Sequence, residues 1–177
     1  MKTHLLLLLA SMLLWGCQIK SQVIVKYKQL SLLTIEKREI IPLLDNSVEF
    51  FNQIETRPDS LYFIIRTHKR SEKDFQILQI DSDEHRNTIF NGYDDPIGFL
   101  YYKNYLFVVY DKESELFFSL TDTKKNFYCD PYIKNKLQVI DDSHPYWVYQ
   151  YFDGHFKLLG ESLPDEYKPQ PVNKLLH

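Results

Sequence analysis

Glycine is scarce in this chain, with five residues in 177, and cysteine is scarcer still at two. A loop that turns backbone N–H groups onto a phosphate needs clustered glycines, and none of the five are so arranged. Two cysteines cannot build a zinc ribbon, no His-Glu-x-x-His occurs, and His68, His85, His144 and His155 fall at no ligand spacing, so no metal is expected. The Gly-x-Ser-x-Gly elbow of serine hydrolases is also absent. Positive charge is not in excess. The 21 Lys and Arg stand against 24 Asp and Glu, a formal net charge of −3, which argues against nucleic acid, whose binders carry a basic stripe. No apolar run reaches the roughly 20 residues that carry a helix across a bilayer. None of these patterns implies a cofactor.

Aromatic side chains, by contrast, are abundant, with 13 Tyr and 12 Phe. They cluster in short segments that read as strands. Residues 23–27 and 30–35 are candidates for the first two, 61–65 and 75–80 for the next two, and a polar turn over 68–74 separates the latter pair. Residues 97–102 and 105–110 flank Lys103-Asn104, and 147–152 and 155–159 flank Asp153-Gly154, a strong signal for a two-residue hairpin turn. Residues 115–120 form a further strand candidate. One helix is expected over 46–55. Asn46 stands as its cap, Glu49 as the capping-box acid, and Val48, Phe51 and Ile54 recur at every third position, with an alternative start near Pro42. Arg57-Pro58 ends it. The fold expected is strand-rich α+β, an antiparallel meander of hairpins with one or two helices. An all-β barrel or sandwich is the alternative.

The two hairpins differ across their faces. Around Asp153-Gly154 one face holds Trp147, Tyr149, Tyr151, Phe156 and Leu158, and the other is mixed, so the first is the expected core face. Around Lys103-Asn104 both faces are apolar or aromatic. Leu100, Tyr102, Tyr105, Phe107 and Val109 lie on one, and Phe99, Tyr101, Leu106, Val108 and Tyr110 on the other. Either this hairpin lies centrally and is covered on both sides, or it exposes an aromatic platform. Tyr101, Tyr102, Tyr105 and Tyr110 are then the candidate binding residues, because tyrosine offers a large apolar body and a hydroxyl to a sugar ring or a protein.

The start of the chain has a different character. Lys2 is followed by a nearly unbroken apolar stretch from Leu5 to Trp15, and then by Gly16 and Cys17. Leu14-Trp15-Gly16-Cys17 resembles the lipobox that closes the signal peptide of bacterial lipoproteins, with Trp15 bulkier than the usual residue at its position. The resemblance implies that residues 1–16 are removed and that Cys17 carries a thioether-linked diacylglycerol, with further acylation, such as palmitate, at the new amino terminus. Two or three acyl chains hold a protein durably where one would not. Gln18 is not the Asp that retains such proteins in an inner membrane, and no acidic cluster follows the Cys. In a diderm cell these features imply the outer membrane, facing the periplasm. Residues 17–22 would be a short tether, 23–162 one domain, and 163–177, with Pro164, Pro169 and Pro171, an extended or disordered tail. With Cys17 lipidated, Cys129 has no disulfide partner in the chain. It is expected to be a buried structural thiol, since nothing beside it lowers its pKa.

The polar constellations read as turns. Asp81-Ser82-Asp83-Glu84-His85 begins like a calcium loop, but Arg86 stands where the turn glycine belongs and Gly92 where the bidentate Glu belongs, so a solvated acidic turn is expected. Asp142 and His144 lack a nucleophile elbow to work with. The expectation is therefore a lipid-anchored, non-catalytic envelope protein acting as a protein-binding module, in a specific version an immunity protein against a toxin acting in the periplasm. The alternatives are a glycan- or small-ligand-binding lipoprotein that uses an aromatic face, and an uncharacterised hydrolase.

Overall fold

A computed structural model describes residues 26–54, 61–69, 76–83, 89, 95–110, 112–129 and 144–163. Eight strands form one sheet: β1 (Lys26–Ile35), β2 (Tyr62–Lys69), β3 (Gln76–Asp83), β4 (Gly98–Tyr102), β5 (Tyr105–Val109), β6 (Phe118–Cys129), β7 (Tyr146–Phe152) and β8 (His155–Ser162), with a helix α1 (Ile41–Asn52) between β1 and β2. The strand order across the sheet is β6-β1-β4-β5-β2-β3-β7-β8. The protein is thus strand-rich α+β. Five of the neighbouring pairs are antiparallel, as a meander requires, while β1–β4 and β2–β5 run parallel. The hairpin β4–β5 inserts between β1 and β2, and this creates both parallel contacts. Its position follows from its composition, since strands that are apolar on both sides belong where both sides are covered.

Both two-residue turns form as their residues dictate. Lys103 and Asn104 take φ of 46° and 69°, Asp153 and Gly154 take 50° and 77°, and the positive values match the twist of the flanking strands. Tyr102 pairs with Tyr105 and Phe152 with His155, which places the side chains on the faces expected. The segment over 26–35 is one strand, with Lys28 and Gln29 as ordinary rungs of the ladder to β6. Strand β6 begins later and runs further than the expected 115–120, because Lys112–Leu116 forms a 3-10 turn and Thr121 to Asn126 continue the pairing with β1.

Helix α1 takes the earlier start. Pro42 sits in its first turn, where a missing N–H costs nothing and φ is already helical. Asn46 is therefore an interior residue and not the cap. Leu43, Leu44, Ser47, Val48 and Phe51 form the buried stripe. It packs on one face of the sheet in the larger core, where Phe51 meets Phe63 edge-on at 5.6 Å and Phe63 stacks on Phe107 at 4.6 Å. The opposite face carries a smaller core of Leu30, Tyr62, Ile64, Ile89, Phe99, Leu106, Val108 and Tyr110.

The sheet is strongly curled around α1. Held flat, β6 and β7 would stand six strand spacings, about 29 Å, apart. Yet the ring of Phe117, one residue before β6, lies 5.0 Å from Tyr151 in β7 and 5.3 Å from Phe156 in β8. The two ends of the sheet thus approach each other on the helix side. Lys37 joins this closure, with its Nζ donating to the Tyr151 hydroxyl at 3.2 Å. Residues 1–25, which include Cys17 and the lipobox, and the tail from 164 lie outside the described residues.

Candidate functional site

The four tyrosines singled out from the sequence do not form one platform. Tyr102 and Tyr105 face the helix, and Tyr101 and Tyr110 face the other way. Tyr105 is only 6% exposed and Tyr110 only 4%, which corrects the expectation that either could line an open surface. The cause is their place in the fold, since Tyr105 of central strand β5 packs into the larger core and Tyr110, just after β5, into the smaller one.

The hydroxyls on the helix side have an internal task. Tyr102 donates to Asp45 at 2.6 Å and Tyr105 to Asn52 at 2.7 Å, while Asn46 Nδ2 donates to the Tyr149 hydroxyl at 3.1 Å. Three tyrosines from three strands therefore grip the polar flank of α1, while their rings extend the core beneath it. Lys103, in the β4–β5 turn, lies 2.6 Å from Asp45, and its hydrogen bond together with that of Tyr102 holds the Asp45 carboxyl below the ordinary value. Buried Tyr110 donates to the Ile89 carbonyl, and the Arg66 guanidinium lies over its ring at 5.2 Å.

Tyr101 remains on the surface, 48% exposed. Lys125 of β6 reaches across β1 to donate to its hydroxyl, and the Lys125 ammonium lies 5.0 Å from the Tyr101 centroid and 5.7 Å from that of Phe127. Phe99 meets Tyr101 at 5.8 Å and Phe127 at 5.0 Å, both edge-on. An aromatic face, a hydroxyl and a cation thus sit together on strands of one sheet. The group offers recognition chemistry, namely apolar area, cation–π attraction and hydrogen bonding. Sequence reasoning named Tyr101 and missed Lys125, which lies in the polar run Thr121 to Asn126 and joins Tyr101 only through the order of the strands.

A second polar group is internal. Asp81, Ser82 and Asp83 belong to strand β3, which corrects the reading of this run as a solvated turn. Ser82 is buried and donates through both N and Oγ to the Pro145 carbonyl, at 3.0 and 2.9 Å. The Tyr62 hydroxyl donates to Asp83 at 3.0 Å, and Gln79 Nε2 donates to Asp81 at 2.7 Å. Arg66, in β2 opposite Gln79, keeps its Nε buried with no hydrogen-bond partner among the described residues. Among those residues, no three His, Cys, Asp or Glu side chains are placed to hold a metal ion.

Burial is the largest influence on Asp81 and pushes its carboxyl above the usual range, against the Gln79 hydrogen bond and the attraction of Arg66. A carboxyl whose folded pKa exceeds its unfolded one binds its proton more tightly in the folded state. Its ionisation therefore costs stability. The cost is absent below the unfolded value of about 3.9 and is complete once the pH has passed the raised folded value. Asp81→Asn keeps the oxygen that accepts from Gln79. It is expected to be more stable than the parent at neutral pH and to lose that advantage in acid, as urea midpoints at both conditions will check. Equal midpoints at neutral pH would contradict the assignment.

Comparison of the chain with family models, curated proteins and solved structures gave no match.

Proposed function

We propose that the protein is a bacterial envelope lipoprotein, tethered through a diacylglyceryl thioether on Cys17, whose domain is a non-catalytic protein-binding module. The leader ending Leu14-Trp15-Gly16-Cys17 supports the anchor. The observation that carries the binding reading is Tyr101, a large aromatic left open on a central strand with a lysine bonded to its hydroxyl. Aromatic side chains of this kind dominate the contact energy of protein interfaces. The division of the four tyrosines over two faces removes the flat floor on which a sugar ring would lie, which favours a protein partner over a glycan. A toxin acting in the periplasm is the kind of partner that the proposed address would bring within reach, with the lipoprotein as its immunity protein.

Two experiments test this reading. In cells, Cys17→Ser is expected to move the protein from the detergent phase to the aqueous phase, or to leave an unprocessed precursor in the membrane. Unchanged behaviour as a processed, membrane-held protein would refute the anchor. A photo-crosslinking benzoyl-phenylalanine placed at Tyr101 is expected to give one discrete protein adduct that Lys125→Glu abolishes. The absence of any adduct, while the variant melts as the parent does, would refute Tyr101 as the contact.

A further inference from the structure

We infer that the lower end of the β1–β6 ribbon, built around Tyr27 and Tyr128, is the surface on which the domain rests against the lipid head groups; this rests on the lipid-anchor reading above. Tyr27 is 62% exposed, the highest value among the large apolar side chains left open in the described residues, and its ring meets that of exposed Tyr128 edge-on at 6.2 Å. The two residues face each other across the ladder, at the end of β1 nearest Cys17 in the chain.

Nine peptide steps separate Cys17 from Lys26, so even a fully extended chain reaches at most about 32 Å. An anchored Cys17 therefore keeps the start of β1, and with it Tyr27 and Tyr128, within about 32 Å of the bilayer surface. The chemistry of the ribbon suits that neighbourhood. From the Tyr27–Tyr128 pair to the Ser31–Lys124 pair, the charged side chains on the two strands are Lys28, Lys124 and Lys125, with no acid among them. The chain as a whole carries −3. Lys28 is paired with Asp95, which leaves an excess of positive charge in a protein of opposite net sign.

That net charge argues against adhesion of the molecule as a whole to anionic lipid, but adhesion depends on the charge that faces the membrane. Alternation along the strands puts Tyr27, Tyr128 and Lys124 on one face of the ribbon, and Lys28, Lys125 and Phe127 on the other. An aromatic side chain and a lysine thus stand on both sides of the same edge. This is the composition of the head-group zone, where amphipathic rings settle and lysine stems lie on apolar surface while their ammonium groups meet phosphate.

The test uses the lipidated full chain, purified from membranes and reconstituted into vesicles of phosphatidylethanolamine and phosphatidylglycerol whose acyl chains carry bromine. Tryptophan is introduced singly as Tyr27→Trp, Tyr128→Trp and Leu116→Trp. Leu116 is also exposed but lies two residues before β6, at the far end of that strand. Native Trp147 is buried and gives a constant background. Flotation reports the anchor, and quenching by bromine reports the seat. The expected result is that every variant floats, with about two-fold quenching at positions 27 and 128, as for a ring lodged in the interface, and none at 116. Flotation with equal quenching at all three positions, or at none, overturns the seat and leaves the anchor standing. A chain that does not float overturns the anchor and the seat with it.

Discussion

Phe63→Ala is expected to destabilise the domain by about 3–5 kcal/mol, the range for truncating a large aromatic in a packed core. Phe63 has no exposed surface and lies where the sheet meets the helix. Its ring stacks on Phe107 at 4.6 Å, meets Phe51 at 5.6 Å and leans on Tyr105 at 5.5 Å. Removing it leaves a cavity bounded by rigid rings from strand β5 and the helix, which cannot all close in. Against a total stability of about 5–15 kcal/mol for a domain of ordinary size, that loss takes roughly a fifth or more. Tyr101→Ala, at a surface position of the same sheet, should cost about 1 kcal/mol or less, since surface substitutions seldom cost more. Urea denaturation of the two variants beside the parent measures both. A Phe63→Ala variant as stable as Tyr101→Ala would contradict the described core.

Gly98→Ala is expected to be nearly as damaging, although it adds only one methyl group. A Cβ at this position would stand 2.7 Å from both Leu33 Cγ and the Ser31 carbonyl oxygen. Gly98 is paired with Ser31 where β4 runs parallel to β1, so the obstacle includes backbone that cannot rotate aside. Overpacking of this kind costs about 1–3 kcal/mol, and more where the neighbour is fixed. Gly160 in edge strand β8 has nothing within 4 Å of such a Cβ, so Gly160→Ala is the matched control and should be neutral or slightly stabilising. Melting temperatures of the two variants decide the point. Parity between them would mean that β4 does not pack against β1 as described.

Much of the fold is legible where local chemistry determines it. Lys103-Asn104 and Asp153-Gly154 accept positive φ, so both hairpins and the faces of their strands can be read from the residues alone. The helix is legible from the spacing of Val48 and Phe51, but its start is not, because Asn46 resembles a cap when its bond to Tyr149, 103 residues away, is invisible. The extension of β6 beyond the expected 115–120 escapes notice because Thr121 to Asn126 are polar, and an edge strand need not alternate to be paired. Asp81 and Asp83 look like a turn because charged residues are seldom half-buried in a strand without partners, and Tyr62 and Gln79 supply those partners from a distance. The direction of pairing leaves no local trace. That is why the β4–β5 hairpin could be recognised as apolar on both faces while the two parallel contacts it makes could not. The candidate site is divided in the same way. Tyr101 is visible as an aromatic, but its exposure and its lysine are properties of the assembled sheet.

The most direct test of the central claim is the intact mass of the protein purified from membranes. The expected mass is that of a chain beginning at Cys17, heavier than the sequence from that residue by a diacylglyceryl group and, where the amino terminus is acylated, by a further acyl chain. A mature protein in which Cys17 is unmodified, or in which Met1 to Gly16 are retained, would contradict it.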